Sequence, residues 1–272
     1  MAFKKSSVVL SVLLSVCFLF TACTSGQGAQ SSADKKEDSL QRVLTAGKLT
    51  VVGSGGYPPF NYIDDGGNVV GFDVDVGKEI AKRMDVKLDY VTGEWSGLVE
   101  GLRSGRYDGI LGSMAITDER LQSVNFTIPY YYSGAQLVVR NDSKVKDAGE
   151  MKGKTIAVAT GTNYEQDAKS LGAKTSLYDD DNSTMLELIS GRVDGVITDR
   201  LVALGAIEKM EKGKDLTLSG NILRLEKMGI AINKSDTALL DKMNEIVQKM
   251  HDDGTLTTIS KKWHNGADIT IK

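Results

Sequence analysis

The stretch Leu102-Arg-Ser-Gly-Arg-Tyr-Asp-Gly-Ile-Leu111 recurs later in the chain as Leu188-Ile-Ser-Gly-Arg-Val-Asp-Gly-Val-Ile197. Each copy has the pattern of a helix end, a Ser-Gly stop, a short turn and a buried strand. Gly105 and Gly191 stand where a left-handed helix cap is expected, a conformation that glycine adopts without steric cost. The sequence therefore predicts the same helix–turn–strand unit twice.

A second pair of similar segments is Lys48-Leu-Thr-Val-Val-Gly-Ser-Gly55 and Lys154-Thr-Ile-Ala-Val-Ala-Thr-Gly161. Its spacing differs from that of the first pair, which argues against a tandem array of short repeats. The pattern favours one α/β plan that is built twice with different insertions. Two similar lobes leave a cleft between them, and small ligands often bind in such clefts.

The composition is that of an ordinary globular protein with room for two modest domains. The 272 residues are 41% hydrophobic and 25% charged. The net charge of −3 and the lack of a basic stripe disfavour nucleic-acid binding. Serine–histidine catalysis or a histidine-rich metal centre would depend on His251 and His264 alone. We expect no metal site and no cofactor.

The N-terminus predicts export and lipid attachment. Two lysines precede an apolar run at 8–20, which suits a signal peptide and is short for a membrane span. The run ends in Phe20-Thr-Ala-Cys23, which resembles the bacterial lipobox, although leucine is usual where Phe20 stands. This resemblance implies that Cys23 receives diacylglycerol and becomes the mature N-terminus. The alternative is a plain secretory peptide in which Cys23 is incidental.

The segment after Cys23 contains almost nothing that could be buried, so it is expected to be a flexible tether. We assign 1–22 to the signal peptide and 23–39 to the lipidated tether. Cys17 lies in the signal peptide. If Cys23 is acylated, the mature protein has no thiol left and therefore no disulfide.

The folded part is expected to alternate strands and helices, which implies parallel sheets with helices on both faces. Two extended stretches, at 130–139 and 224–232, stand where the chain would cross between lobes. We therefore predict lobe I at 40–132 and 228–272 and lobe II at 133–227. The expected strands are 49–54, 87–92, 109–111, 155–160, 175–178 and 195–198, and the expected helices are 74–84, 96–103, 164–170, 183–189, 201–210 and 239–250, with a short last helix that carries Trp263.

Arg120 is a candidate ligand-binding side chain. Thr117 is a good N-cap for a helix that begins just after the first buried strand, and Arg120 lies in its first turn. Ligands of doubly wound sheets bind at the carboxyl ends of the strands, close to this position. The planar guanidinium suits a carboxylate held by two parallel hydrogen bonds. The alternative is a surface arginine in a local ion pair.

Other groups at the same edge would complement a zwitterionic amino acid. The turn Thr160-Gly-Thr-Asn-Tyr164 opens a helix and could present free N–H groups to an anion, although such turns are common. Asp199 ends the repeated strand of lobe II and could hold an ammonium, or could simply cap the helix at Leu201. Tyr57 and Trp95 could provide flat walls, although isolated aromatic residues more often belong to a core.

Six motifs in order give a resemblance to a family. The region 40–263 resembles the polar amino-acid-binding proteins of bacterial ABC importers, extracellular solute-binding family 3. The resemblance implies an α/β two-lobe clamshell with a mostly parallel sheet and flanking helices in each lobe, joined by two hinge crossings. The motifs are Tyr57-Pro-Pro-Phe60, Gly71-Phe-Asp-Val-Asp75, Trp95-Ser-Gly-Leu98, Ser104-Gly-Arg-Tyr-Asp108, Ile116-Thr-Asp-Glu-Arg120 and Phe126-Thr-Ile-Pro-Tyr-Tyr131.

The resemblance also implies roles for single residues. Arg120 falls on the arginine that binds the ligand α-carboxylate, and Asp199 on the acid that binds the α-ammonium. Tyr57 and Trp95 fall on the aromatic pair that encloses the ligand side chain. The remaining expected contacts are Ser54, Gly112, Ser113 and Ala115 in lobe I, and Thr162 and Asn163, a carboxylate cradle, in lobe II.

Two positions depart from the family pattern. Ala115 stands where relatives often carry Ser or Thr, so one hydroxyl contact is lost and only the N–H remains. Ser54 stands where binders of basic amino acids and of glutamine often carry Asp. This second departure counts against a pocket specific for lysine or arginine.

The sequence thus predicts a monomeric, lipid-anchored receptor at the extracytoplasmic face of the cell membrane. It would deliver a free amino acid to the permease of an ABC transporter, without catalysis. One alternative is a dehydratase for prephenate- or arogenate-like acids, which would need a general acid such as Glu165 or one of Asp179-Asp-Asp181. Another is the sensor domain of a membrane kinase, which would need a transmembrane helix and a catalytic region after Trp263.

Overall fold

The computed structural model describes residues 39–271. The helices are α1 (Ser39–Ala46), α2 (Phe72–Arg83), α3 (Leu98–Arg103), α4 (Asp118–Ser123), α5 (Tyr164–Ser170), α6 (Asp181–Ile189), α7 (Arg200–Lys209), α8 (Thr237–Asp252) and α9 (Thr255–Trp263). The strands are β1 (Lys48–Gly53), β2 (Gly56–Tyr57), β3 (Asn61–Ile63), β4 (Val69–Val70), β5 (Lys87–Thr92), β6 (Gly109–Ile110), β7 (Val124–Phe126), β8 (Tyr131–Arg140), β9 (Thr155–Ala159), β10 (Lys174–Tyr178), β11 (Gly195–Asp199), β12 (Leu216–Met228) and β13 (Ala231–Asn233).

Two five-stranded sheets carry the fold. The first has the order β5-β1-β6-β13-β7 and the second the order β10-β9-β11-β8-β12. In each sheet the first three strands are parallel, and the last two add antiparallel pairs. Each sheet therefore has two parallel and two antiparallel pairs of strands. The antiparallel pairs arise because β13 in the first sheet and β8 in the second, which both follow a crossing between the sheets, run opposite to their neighbours. We call the part that contains the first sheet lobe I and the part that contains the second sheet lobe II.

The chain crosses between the two sheets twice, from β7 to β8 and from β12 to β13. Strands β8 and β12 pair antiparallel over most of their length, with an irregularity between Ser219 and Arg224. The two crossings are therefore neighbours, the arrangement of a two-strand hinge.

The repeated Ser-Gly stop has the predicted conformation in both copies. Gly105 has φ 78° and Gly191 has φ 75°, both in the left-handed region. Each glycine follows a helix, α3 or α6, and precedes a buried strand, β6 or β11. The prediction of a twice-built unit is confirmed at these positions.

Strand β9 explains why helices cover both faces of the second sheet. Successive side chains of a strand point to opposite faces. Ile156 and Val158 enter one buried apolar cluster, and Ala157 enters another. The run is fully apolar because neither face of this strand contacts water.

Short elements were missed by the sequence patterns. Helix α1, with eight residues, and the small sheet β2-β3-β4 are too short for their patterns to stand out in the sequence. The helix expected at 96–103 begins as a 3₁₀ turn, Trp95–Gly97. The predicted signal peptide, Cys23 and most of the tether lie outside the described residues. No helix within 39–271 is both long and apolar enough to span a bilayer.

Candidate ligand-binding site

A cavity lies between the two lobes, and the space between its walls, part of it open to solvent, is about 490 Å³. Eight of the ten residues expected to contact a ligand line it; Gly112 and Asp199 do not. The lining residues are Ser54, Gly56, Tyr57, Trp95, Ser113, Ala115 and Arg120 from lobe I, and Ala159, Thr162, Asn163, Tyr164, Asp179, Asp180 and Asp181 from lobe II.

Arg120 presents an unpaired cation to this cavity. The Thr117 hydroxyl accepts a hydrogen bond from the Arg120 N–H at 3.2 Å, which is the predicted N-cap of α4. Its Nη1 donates to the Ala115 carbonyl at 2.9 Å, and its Cζ lies 5.4 Å from the centroid of the Trp95 ring. In residues 39–271 it forms no ion pair, which argues against the surface ion-pair interpretation. Burial lowers the pKa of its guanidinium.

Asp199 is fully buried at the end of β11. Its Oδ1 caps α7 by accepting from the Leu201 N–H at 2.7 Å, and it also accepts from the Ser133 hydroxyl at 2.8 Å. No donor in the described part of the chain reaches Oδ2. Burial, and then the nearby Glu226, raise the pKa of Asp199 to about 7. The helix cap and a carboxylate oxygen without a partner thus coexist in one side chain.

The two predicted aromatic residues both line the cavity. Tyr57 packs near Phe60, with ring centroids 5.7 Å apart. The indole Nε1 of Trp95 donates to the Gly161 carbonyl of lobe II at 3.1 Å. Asn265 of lobe I donates to Glu208 of lobe II at 3.2 Å. Both contacts join the two lobes, so the cleft is closed.

The turn before α5 has fewer free N–H groups than the sequence predicts. The Gly161 N–H donates to Glu165 Oε1 at 2.7 Å, and the Thr162 N–H points to the Ala159 carbonyl at 3.3 Å. Glu165 reaches back over the start of α5 in the manner of a capping box. The Gly161 N–H is therefore already used and is not free to bind an anion. The Thr162 hydroxyl donates to the Ala159 carbonyl at 2.7 Å and Asn163 Nδ2 donates to Glu226 at 2.6 Å, whereas the Asn163 N–H has no acceptor within residues 39–271.

A buried glutamate that the sequence patterns missed supports this turn. Glu226 of β12 is 2% exposed and accepts from Asn163 Nδ2 at 2.6 Å and from the Tyr164 hydroxyl at 3.0 Å. Arg224 pairs with Glu226 at 2.8 Å and with Asp167 at 2.7 Å. The network fixes the start of α5 to a hinge strand. The only feature of the sequence that could have indicated Glu226 is an acidic residue within the extended crossing 224–232.

A second buried acid organises the lobe I wall. Asp73 accepts from the Tyr130 hydroxyl at 2.7 Å, from Ser113 Oγ at 2.9 Å and from Asn61 Nδ2 at 2.8 Å. Asn61 in turn accepts from the Gly55 N–H at 2.9 Å. Burial raises the pKa of Asp73 to about 6. Ser113, held at φ 58°, thus depends on this carboxylate for its position. The family-like motif at 71–75 contained Asp73, but its partners are distant in sequence.

The acidic run Asp179-Asp-Asp181, which could not be placed from the sequence, reaches the cavity. Asp180 accepts from the Ser183 N–H at 2.7 Å and caps α6. Asp181 is 6% exposed and accepts from the Thr198 hydroxyl. Burial raises the pKa of Asp181 to about 6. Glu165, the other acid considered for catalysis, lines an outer groove instead.

Comparison with known proteins gives one consistent result. The model of the bacterial extracellular solute-binding proteins, family 3, matches residues 49–266. The L-cystine-binding protein TcyJ of Escherichia coli (strain K12) is 35% identical over 253 residues, which cover 92% of this chain and 93% of that protein.

Two solved structures are also similar. The P235GK mutant of ArgBP from T. maritima is 36% identical with a TM-score of 0.79, and the match covers 83% of this chain and 99% of that one. The ancestral amino acid-binding protein AncCDT-1, described as a precursor of cyclohexadienyl dehydratase, is 31% identical with a TM-score of 0.78. That match also covers 83% of this chain and 99% of the other.

Proposed function

Because the chain belongs to the bacterial extracellular solute-binding proteins, family 3, we propose that it is the substrate-binding protein of an amino-acid ABC importer. It captures a free amino acid between its lobes and delivers it to the permease, without chemical change. The similarity to an L-cystine-binding protein and to an amino acid-binding protein supports an amino acid as the ligand.

The observation that carries this proposal is the unpaired Arg120 at a closed cavity. An arginine without a carboxylate partner in the described chain is complementary to a ligand that brings one. Arg120 holds the α-carboxylate, and the partnerless Oδ2 of Asp199 accepts from the α-ammonium. Tyr57 and Trp95 then cover the apolar part of the ligand.

Wall residues complete the contacts in this proposal. Ser113 and Ala115 contribute a hydroxyl and an N–H from lobe I, and Ser54 stands beside them. Gly112 acts through close backbone packing, because a Cβ there would lie 2.9 Å from the Gly53 Cα. Thr162 and Asn163 close the lobe II side.

We further propose that the protein is a monomer tethered to the extracytoplasmic face of the membrane by diacylglycerol on Cys23. The support is the lipobox-like sequence and the polar tether that follows it. A tether of this composition lets the folded part move relative to the membrane while staying near the permease.

Thermal unfolding with and without each common amino acid, cystine included, tests the binding function. A ligand that binds only the native state raises the melting temperature in proportion to the logarithm of its concentration. We expect at least one amino acid to raise the melting temperature, with a dissociation constant of roughly a few micromolar or below. If no amino acid shifts the melting temperature, the binding function is wrong.

The alternative is a dehydratase on the same fold that acts on a prephenate- or arogenate-type acid. One observation favours it: Asp181, a buried carboxyl with a pKa of about 6, lines the cavity as a general acid would. Incubation with prephenate followed by product analysis separates the two functions, and we expect prephenate to be recovered unchanged.

A further inference from the structure

The cavity between the lobes carries an uneven set of charges. Among residues 39–271, Arg120 is the one cation that lines it, whereas Asp179, Asp180 and Asp181 contribute three carboxylates. None of these three acids takes part in an ion pair within the described residues. The α-carboxylate and α-ammonium of an amino acid would engage Arg120 and Asp199, so the acids of α6 would still lack a cation.

Asp181 shows this lack most clearly. It is 6% exposed, and its Oδ1 accepts from Thr198. Across residues 39–271 no donor reaches its other oxygen, Oδ2. A buried carboxylate is unfavourable unless a charge or hydrogen bonds compensate it. An oxygen in this state at a cavity wall therefore points to a cationic or strongly donating ligand group.

Asp180 adds a second carboxylate at the same place. Its Oδ1 is used by the α6 cap, through the Ser183 N–H, and its Oδ2 has no donor in the part of the chain that the structure describes. A Cβ added to Gly56 would lie 3.9 Å from the Asp180 Cβ, so this acid faces lobe I across the closed cleft. The cation would be held between the lobes.

The cavity has distinguishable ends. Arg120, Thr162 and Asn163 also line the outer groove, whereas Asp181 also lines a separate space beside Pro58 and Lys209. Arg120 and Asp181 therefore lie at different ends. An amino acid whose α-carboxylate is bound at Arg120 would extend its side chain toward the acids of α6.

We propose that the ligand is an amino acid whose side chain ends in a second cationic group, an ammonium or a guanidinium, and that Asp180 and Asp181 bind this group. The proposal rests on the proposed function, because Arg120 must first hold the α-carboxylate. Ser54 does not argue against it, since lobe II supplies the acids that lobe I lacks. A side-chain carboxylate would be repelled at this end of the cavity.

Calorimetric titration with matched ligand pairs tests this proposal. The pairs are L-arginine and L-citrulline, and L-lysine and L-norleucine, which differ mainly in the second cationic group. We expect the cationic member of at least one pair to bind about tenfold tighter or more than its neutral partner.

Two variants test whether Asp180 and Asp181 cause the preference for the cationic ligand. Asp181→Asn keeps the Oδ1 acceptor for Thr198, and Asp180→Asn keeps the α6 cap, so each removes mainly a charge. In each variant, the ratio of the affinities for the cationic and the neutral member should fall to roughly a few-fold. Asp147→Asn is the matched control, because Asp147 also caps a short helix in lobe II but does not line the cavity. Melting curves show whether each variant is folded. If Asp181→Asn unfolds, Asp180→Asn still tests the proposal, because Asp180 is only half-buried.

The outcomes separate this proposal from the binding function. If neutral partners bind as tightly as cationic members in both pairs, or if both variants retain the preference, the second-cation proposal is overturned while amino-acid binding stands. If no amino acid binds at all, the proposed function itself fails.

Discussion

The indole nitrogen of Trp95 in lobe I donates a hydrogen bond to the carbonyl oxygen of Gly161 in lobe II, at 3.1 Å. The same ring lies under the guanidinium of Arg120, 5.4 Å from its Cζ. One side chain thus connects the closure of the cleft to the position of the cation that holds the ligand. A ligand favours closure only through contacts that the open form lacks.

Trp95→Phe should therefore weaken ligand binding about two- to tenfold, because the aromatic face remains while the hydrogen bond across the cleft is lost. Calorimetry measures the affinity, and solution scattering measures the radius of gyration with and without ligand. Trp263→Phe is the control, since the Trp263 indole donates to Asp75 at 2.9 Å, entirely inside lobe I. Equal affinity losses in both variants would argue against a closure contact.

Arg120→Ala should abolish measurable amino-acid binding without unfolding the protein. A ligand carboxylate left without its charged partner costs about 2–5 kcal/mol, or roughly 30- to several-thousand-fold in affinity. Arg120→Lys should rescue poorly, because a point charge does not reproduce the planar fork. Arg103→Ala removes an exposed arginine of lobe I that pairs with Glu100, and it should bind normally. Normal binding by Arg120→Ala would remove the central contact of the proposed site.

Ligand affinity should rise with pH. Asp199, with a pKa of about 7, and Asp181, with a pKa of about 6, must be ionised to hold cations. Affinity should therefore increase from about pH 5 to about pH 8. Glu226, Tyr57 and Tyr131 also face Asp199; burial raises the pKa of both tyrosines, so they stay neutral in this window. A flat affinity profile in calorimetry would contradict this assignment.

The stability of the ligand-free protein should change in the opposite direction. The pKa of each acid is raised above its ordinary value of 3.8, so the folded state binds the proton more tightly than the unfolded state. The resulting stabilisation is complete below that ordinary value and is lost as the pH rises through about 6 and about 7. Comparing melting temperatures of Asp199→Asn and the parent across this range isolates the contribution of Asp199.

Asp73→Asn should weaken both the fold and the site. Its amide replaces one acceptor oxygen by a donor, so one of the three donors from Tyr130, Ser113 and Asn61 loses its partner. The expected cost is about 1–3 kcal/mol in the free energy of unfolding, together with weaker ligand binding through Ser113. Denaturant unfolding and calorimetry measure the two effects. Unchanged affinity in a destabilised variant would restrict Asp73 to a structural role.

Cys23→Ala should leave the protein unacylated, and either uncleaved or released from the membrane fraction, with ligand affinity unchanged. Two acyl chains hold a protein firmly, at roughly 0.8 kcal/mol per buried CH₂. Metabolic lipid labelling and membrane fractionation measure the effect. Labelling equal to that of the parent would show that Cys23 is not the acceptor.

Features that depend on local sequence could be predicted. The glycine stops at Gly105 and Gly191 and the Thr117 cap of the helix that carries Arg120 require only neighbouring residues. The buried strand β9 was evident from its unbroken apolar run. Local patterns therefore predicted the two-lobe α/β fold and placed Arg120 at a ligand edge.

Features that depend on contacts between distant segments could not be predicted. Asp180 and Asp181 reach the cavity because α6 of lobe II packs against β2 of lobe I, which is a contact between segments far apart in sequence. Glu226 and Asp73 have partners from distant parts of the chain. The use of the Gly161 N–H by Glu165 was likewise not evident from the sequence.

The helix cap formed by Asp199 limits how this protein could acquire a new ligand by mutation. Replacing Asp199 alters the start of α7 as well as the proposed ammonium contact, so stability and recognition change together. Asp180→Asn would preserve the α6 cap, so that position could vary at little cost to folding. Evolution of specificity should therefore leave the amino-acid end of the pocket fixed and proceed through the far wall of lobe II.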